Sequence, residues 1–213
     1  MHFTISGMSV RCGGYGLRVT ETLVRAFPSR LHSAALEVFG ALPASDCEPI
    51  GDIATSYRRA CPGLRLASEQ VSIPYRIYNP RPGQSLLQRL DDERSLVLSC
   101  IYSRHHEGFV RQEFVSRILA SDDDACIIPF VVQLLGEYVV EICADVERFV
   151  LESLPARPNL LQGFATFLAD NPCYAELTEQ RATSYWSCYY RRQHPSRQTY
   201  PGFVALESLR TTD

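Results

Sequence analysis

Apolar residues recur with a helical period through the middle of the chain. Between positions 84 and 154, five apolar segments alternate with short polar breaks. Asp91 precedes the second segment and the acidic run 122–124 precedes the fourth, where carboxylates stabilise the start of a helix. Because short connections make consecutive helices run antiparallel, this pattern predicts helical hairpins.

The first 83 residues follow no such period. We expect an extended arm over 1–16, a helical hairpin over 20–39, and an irregular segment over 43–83 that contains six prolines. Within the irregular segment, residues 53–59 are typical of a short helix. The stretch 71–78 favours an edge or isolated strand, because the proline inside it cannot donate to a strand ladder.

Beyond the hairpins, the periodicity predicts three more helices, over residues 159–169, 174–190 and 203–209. The expected fold is therefore mainly α. It consists of stacked antiparallel helical hairpins of the α-solenoid type, with an irregular, partly extended N-terminal half. We expect an N-terminal segment over 1–83 and a helical repeat region with its C-terminal extension over 84–213.

The hairpins carry an internal repeat. A shift of about 29 positions lays GFVRQEF, which starts at Gly108, over EYVVEIC, which starts at Glu137. Neither helical pair buries its apolar face alone, so the pairs are expected to stack with Phe130 near the centre of a shared core. The stripes predicted to be buried together contain Val110, Phe114, Ile118, Ile127, Phe130, Leu134, Val139, Ile142, Val146 and Val150.

Residues 86–153 resemble HEAT-repeat proteins, specifically the uncharacterised bacterial type. In that family a Val-Arg pair opens the second helix of a repeat, as Val110 and Arg111 do here. The resemblance implies that the valine points into the hairpin and that the arginine bonds an acid or carbonyl of the neighbouring repeat. The second copy departs from the pattern, with Val139 and Val140 at these positions. A HEAT-like fold implies a protein-binding scaffold, with a few nucleic-acid enzymes among such proteins.

Composition limits the possible chemistry. A net charge of -3 gives the chain no general affinity for polyanions. All 21 positively charged side chains are arginine, which excludes a Schiff-base or P-loop lysine. No apolar run reaches the roughly 20 residues that span a bilayer. The eight cysteines form no CxxC pair, so we expect reduced thiols, a cytoplasmic location, and neither metal nor cofactor.

Two polar clusters have a structural and a chemical interpretation. Adjacent His105 and His106, between Arg104 and Glu107, suit a metal or acid–base site, or else a solvated loop. We expect the loop, because adjacent side chains do not point the same way. The acidic run 122–124 suits a divalent cation, but its position before a helix favours an N-terminal cap.

Two surfaces are candidates for binding a partner. Glu137, Glu141 and Asp145 recur every four residues, which predicts an acidic stripe on one helical face and a basic partner. The C-terminal segment mixes aromatic and arginine side chains: Arg181, Tyr185, Trp186, Tyr189, Arg191, Arg192 and Arg197. Such a segment can pack its rings inward, form a protein-binding hot spot, or stack bases and neutralise phosphates.

No sequence motif for a nucleophile, a metal-activated water or a phosphate loop is complete in this chain. We therefore expect a non-enzymatic interaction module, a HEAT-like scaffold whose partner is another protein. The alternative is a nucleic-acid-associated protein that uses the arginine and aromatic segment at its C-terminal end. No membrane association is expected.

Overall fold

The computed structural model describes residues 21–45, 47, 50–52, 63–122 and 124–210, and most of these residues are helical. In chain order the helices are α1 (His32–Ala41), α2 (Gln84–Leu87), α3 (Asp92–Tyr102), α4 (Gly108–Leu119), α5 (Ile128–Leu134), α6 (Val140–Arg148), α7 (Pro158–Asp170), α8 (Pro172–Tyr185) and α9 (Pro201–Arg210). The prediction of a mainly α fold is confirmed. The predicted arm over 1–16 and the helix over 53–59 lie outside the described residues.

Local sequence signals set the helix boundaries. The side chain of Asp91 caps α3 by accepting from the backbone N–H of Arg94 at 2.9 Å. Asp124 likewise accepts from the N–H of Cys126, at the short 3-10 turn that leads into α5. The acidic run therefore acts as a helix cap, as expected, although its middle residue lies outside the described residues.

Two helices end in a wider π-helical turn. Helix α6 continues through Phe149–Ser153, and α8 continues through Trp186–Tyr190. A π turn rotates the following side chains relative to the preceding α-helix, so it changes which of them face outward. This rotation matters for α8, because the turn holds the aromatic part of the C-terminal segment.

Short strands form two antiparallel ribbons before α2. Strand β1 (Ile50–Asp52) pairs with β4 (Pro74–Arg76), and β2 (Leu64–Leu66) pairs with β3 (Glu69–Val71). The predicted edge strand over 71–78 is thus divided between β3 and β4. Proline stands at the first position of β4, where its missing N–H is tolerated.

One continuous core joins the described parts of the N-terminal and C-terminal segments. It extends from Leu23 to Leu209, and the ring of Phe27 lies 5.4 Å from the ring of Phe130. Each residue of the predicted stripes belongs to this core, with Val139 only partly buried at its margin. Helix α4 contacts both α3 and α6, so neighbouring hairpins share their apolar faces.

The cysteines differ from the expectation of reduced, mostly buried thiols. Cys100, Cys126 and Cys143 are free and buried, but Cys47 and Cys188 are exposed. Cys173 takes part in a disulfide bond, so the expectation of reduced thiols is wrong for this residue. Because disulfides persist in oxidising compartments, the cysteine argument for a cytoplasmic location loses its force. Among the described residues, no helix is long and apolar enough to cross a membrane.

The Phe130 side chain tests whether the hairpins share this core. It is fully buried, so we expect Phe130→Ala to lower the free energy of unfolding by about 3–5 kcal/mol through lost contacts and a cavity. Leu36→Ala is the control, since Leu36 is 50% exposed and its truncation should change stability by under about 0.5 kcal/mol. Urea unfolding measures both values. Equal losses in the two variants would contradict the core assignment.

Candidate functional site

Glu137 lies in the turn between α5 and α6 and is fully buried, with none of its side chain exposed. It therefore does not continue the helical face of Glu141, which is exposed on α6. Asp145 is half-buried and accepts from Gln112 at 3.0 Å and from Arg148 at 2.6 Å. The predicted acidic stripe is wrong, because α6 begins only at Val140 and Glu137 points into the protein.

Arginines from distant parts of the chain surround the Glu137 carboxylate. Arg76, at the end of β4, binds it in a bidentate fashion, with N–O distances of 3.0 and 2.7 Å. Arg104, in the turn after α3, donates to the Oε1 atom at 2.7 Å. Arg111, in the first turn of α4, places its Nη2 atom 3.8 Å from Oε2. We call these four residues the Glu137 cluster.

Backbone carbonyls offset part of the positive charge in the Glu137 cluster. Arg104 also donates to the carbonyls of Tyr75 at 3.1 Å and Ser103 at 3.3 Å. Arg111 donates through Nη1 to the carbonyl of His105 at 2.6 Å. The carbonyl end of α3 faces Arg104, and that end of a helix carries partial negative charge. The Nε and Nη2 atoms of Arg111 are buried and make no hydrogen bond.

This environment keeps the cluster ionised. Burial alone would raise the pKa of Glu137, but the positive charges of Arg104, Arg76 and Arg111 lower it to about 2. Burial lowers the pKa of Arg104 to about 10, against the opposing effect of Glu137. Both groups are therefore charged at neutral pH. The cluster is a buried set of ion pairs that, among the described residues, depends on a single carboxylate.

The histidine pair is divided between the interior and the surface. Arg104 and His105 are buried, while His106 and Glu107 are exposed, so the expectation of a solvated loop is wrong for the first two. The Nε2 atom of His105 lies 3.0 Å from the carbonyl of Asn79, and its Nδ1 atom accepts from the N–H of Glu107. A neutral imidazole with its proton on Nε2 satisfies both contacts.

An aromatic surface lies directly beside the Glu137 cluster, and Tyr138 is at its centre. The Tyr138 ring lies 6.2 Å from the ring of Tyr185 and 5.6 Å from the Arg111 guanidinium. The Tyr138 carbonyl accepts from the hydroxyl of Tyr190 at 2.6 Å. Phe109 follows Gly108 at the start of α4, where an added β-carbon on Gly108 would lie 3.6 Å from the Val139 side chain. We call the following set the tyrosine–arginine surface: Phe109, Tyr138, Tyr185, Tyr189, Tyr190, Arg191 and Arg192.

The C-terminal segment contributes both to the buried region around Glu137 and to the tyrosine–arginine surface. Arg181 is buried, donates to the carbonyl of Gly136 at 2.9 Å, and lies over the ring of Tyr75 at 5.1 Å. Tyr189 is 72% exposed, and Arg191 and Arg192 are exposed without an ion pair among the described residues. Arg181 therefore packs inward, which was one of the interpretations of this segment, whereas Tyr189, Arg191 and Arg192 face solvent.

The remaining members of the segment have structural partners. Trp186 donates from Nε1 to the carbonyl of His194 at 2.9 Å, and the Arg191 guanidinium lies 4.9 Å from the centre of its ring. Arg197 pairs with Glu179 at 2.8 Å. Arg197 is therefore not included in the tyrosine–arginine surface, and its predicted binding role stays a prediction. No group of three or more His, Cys, Asp or Glu side chains in the described ranges could hold a metal ion.

Removing the charge of Glu137 tests the role of the cluster. Glu137→Gln should lower the free energy of unfolding by about 3–5 kcal/mol, because buried arginines lose their counterion. Glu141→Gln is the matched control, since Glu141 is exposed and should give a change under about 0.5 kcal/mol. Denaturant titration at neutral pH measures both. Similar stabilities of the two variants would show that the cluster does not stabilise the fold.

The buried His105 imidazole predicts a pH dependence. Burial lowers its pKa in the folded protein, so the unfolded chain binds the proton more tightly. The free energy of unfolding should therefore fall as the pH drops below about 6.5, the ordinary histidine value. Urea unfolding at several pH values should show a weaker dependence in His105→Gln than in His106→Gln. An unchanged slope in His105→Gln would contradict this assignment.

Comparison with known proteins adds no relative. No protein-family model, no curated protein and no solved structure matches this chain. The resemblance to HEAT-repeat proteins therefore stays a prediction from residues 86–153. The site must be interpreted from its own geometry: a buried ion-pair cluster that supports an exposed aromatic surface.

Proposed function

We propose that the protein is a non-enzymatic binding module that docks another protein through the tyrosine–arginine surface. One observation carries the proposal: Tyr189, 72% exposed, and Tyr138, 46% exposed, are linked through Tyr190, while Phe109 at the start of α4 is 91% exposed. Aromatic and arginine side chains dominate the binding energy of protein interfaces. Exposed apolar groups that are contiguous, and not scattered singly, are typical of interaction sites.

The underlying structure supports a preorganised interface. Tyr138 follows Glu137 directly, and Arg181 bonds the carbonyl of Gly136, two residues before Tyr138. The turn that carries Tyr138 is therefore fixed by buried contacts at the two residues that precede it. A rigid surface loses less conformational entropy when a partner binds, which raises affinity.

The HEAT-like solenoid is part of the same proposal. The contacts of α3 with α4, of α4 with α6 and of α5 with α6 support it, since they are the contacts that stacked hairpins make. A scaffold of this kind presents turns and helix ends along one edge. The tyrosine–arginine surface is built from such places: the start of α4, the turn before α6 and the end of α8.

Nucleic acid is the second candidate partner. Tyr189 beside the exposed Arg191 and Arg192 is the observation in its favour, because bases stack on rings and phosphates bind arginine. Exposed Glu107 immediately precedes α4, at the end of the helix that carries Phe109. Glu141 is exposed on the first turn of α6. These carboxylates repel a continuous phosphate backbone, so we favour a protein partner.

Truncating the exposed rings tests the proposed function. Phe109→Ala with Tyr189→Ala should reduce capture of the partner from an extract of the source organism by about tenfold or more, because hot-spot aromatics are lost. The matched control is Leu36→Ala with Leu151→Ala, which removes apolar side chains of 50% and 49% exposure elsewhere. Quantitative mass spectrometry compares the captured proteins. Equal capture by both double variants would contradict the proposal, as would turnover of a small molecule without any retained partner.

A further inference from the structure

We propose that the partner segment that docks on the tyrosine–arginine surface is acidic, with carboxylates on both sides of an apolar or aromatic anchor. This inference rests on the proposed function and specifies the chemistry of the partner. It comes from the charge that lies beneath and around Tyr138, taken together with the exposed rings.

The buried charge near Tyr138 is strongly unbalanced. Arg76, Arg104 and Arg111 of the Glu137 cluster converge on Glu137, which is the one carboxylate with which they form ion pairs among the described residues. Carbonyl oxygens stabilise these guanidinium groups locally but carry no net charge. Because buried charges are screened by salt much less than exposed ones, their positive potential extends to the surface above them.

Exposed groups strengthen this potential. Arg191 and Arg192 add two positive charges at the end of α8 and have no ion pair among the described residues. Exposed Glu107 and Glu141 offset part of this charge at the margin. The whole chain, in contrast, carries a net charge of -3. A positive region on an acidic protein attracts acidic partners and disfavours basic ones.

The aromatic side chains define the rest of the partner. The rings of Phe109, Tyr138 and Tyr189 offer an apolar contact area that a uniformly charged chain would leave unused. An anchor with an aromatic or aliphatic side chain would bury against these rings. Carboxylates flanking that anchor would then lie near Arg191 and Arg192. The arrangement fits a linear peptide segment better than a nucleic acid. A peptide can place its few carboxylates beside the arginines alone, whereas a continuous phosphate backbone would also meet the marginal carboxylates Glu107 and Glu141.

Fluorescence anisotropy with three labelled probes tests this inference. The probes are a short peptide with glutamates on both sides of a central tryptophan, the same peptide with lysines replacing the glutamates, and oligo-dT. We expect the wild-type protein to bind the acidic peptide about tenfold or more tightly than either other probe, with affinity that falls as salt rises. Arg191→Ala with Arg192→Ala should weaken binding of the acidic peptide by about tenfold.

A control variant that loses the same number of positive charges distinguishes the effect of Arg191 and Arg192 from the effect of the total charge of the protein. Arg65→Ala with Arg89→Ala removes two exposed arginines, one on β2 and one between α2 and α3, and should leave the affinity unchanged. Circular dichroism and urea unfolding verify that all variants remain folded. Absent binding of the acidic peptide, equal binding of the lysine peptide, or equal weakening by both double variants would overturn the inference.

Other outcomes distinguish the inference from the proposed function. Tighter binding of oligo-dT that is abolished by Arg191→Ala with Arg192→Ala would overturn both and favour the nucleic-acid alternative. Self-association that requires these two arginines would show a second copy of the chain on the surface and overturn the acidic-segment inference. Partner capture that depends on Phe109 and Tyr189 but not on salt would overturn only the inference. The proposed docking function would then stand.

Discussion

The buried carboxylate of Glu137 is the constraint on which this structure depends. Guanidinium groups from the end of β4, the turn after α3 and the first turn of α4 converge on it. A buried arginine without a counterion costs several kcal/mol, so these elements are stable in their positions only around this one acid. The ion pairs therefore fix the position of the β1–β4 ribbon against the helical hairpins. Apolar contacts alone are less directional and define this position less precisely.

The same constraint links the core to the candidate function. Glu137 points inward while the adjacent Tyr138 points outward, so the turn between α5 and α6 has a buried side and an exposed side. Arg181 fastens this turn to α8 through the Gly136 carbonyl, next to the π turn that exposes Tyr189. The exposed aromatic groups are thus held by charge pairs beneath them. This arrangement places the proposed docking surface above a buried group of arginines.

Local features of the fold could be predicted, and long-range ones could not. The helical period and the acidic caps predict the bounds of α3 to α9 closely, because these signals act within a few residues. The burial of Arg111 was implied by the Val-Arg pair of the HEAT resemblance. The Arg76–Glu137 pair joins residues 61 positions apart, which no spacing reveals. Glu137 instead matched a four-residue repeat with Glu141, and only the start of α6 shows that this repeat is not a helical face.

Amide hydrogen exchange in Glu137→Gln, compared with Glu141→Gln, tests the central claim most directly. If the carboxylate holds the surrounding elements together, exchange in Glu137→Gln should rise in residues 74–78, 104–111 and 136–140 while the middle of α7 stays protected. Glu141→Gln should show the wild-type pattern. Unchanged protection of those three segments in Glu137→Gln would contradict the account, since the tyrosine–arginine surface would then be ordered without the charge cluster beneath it.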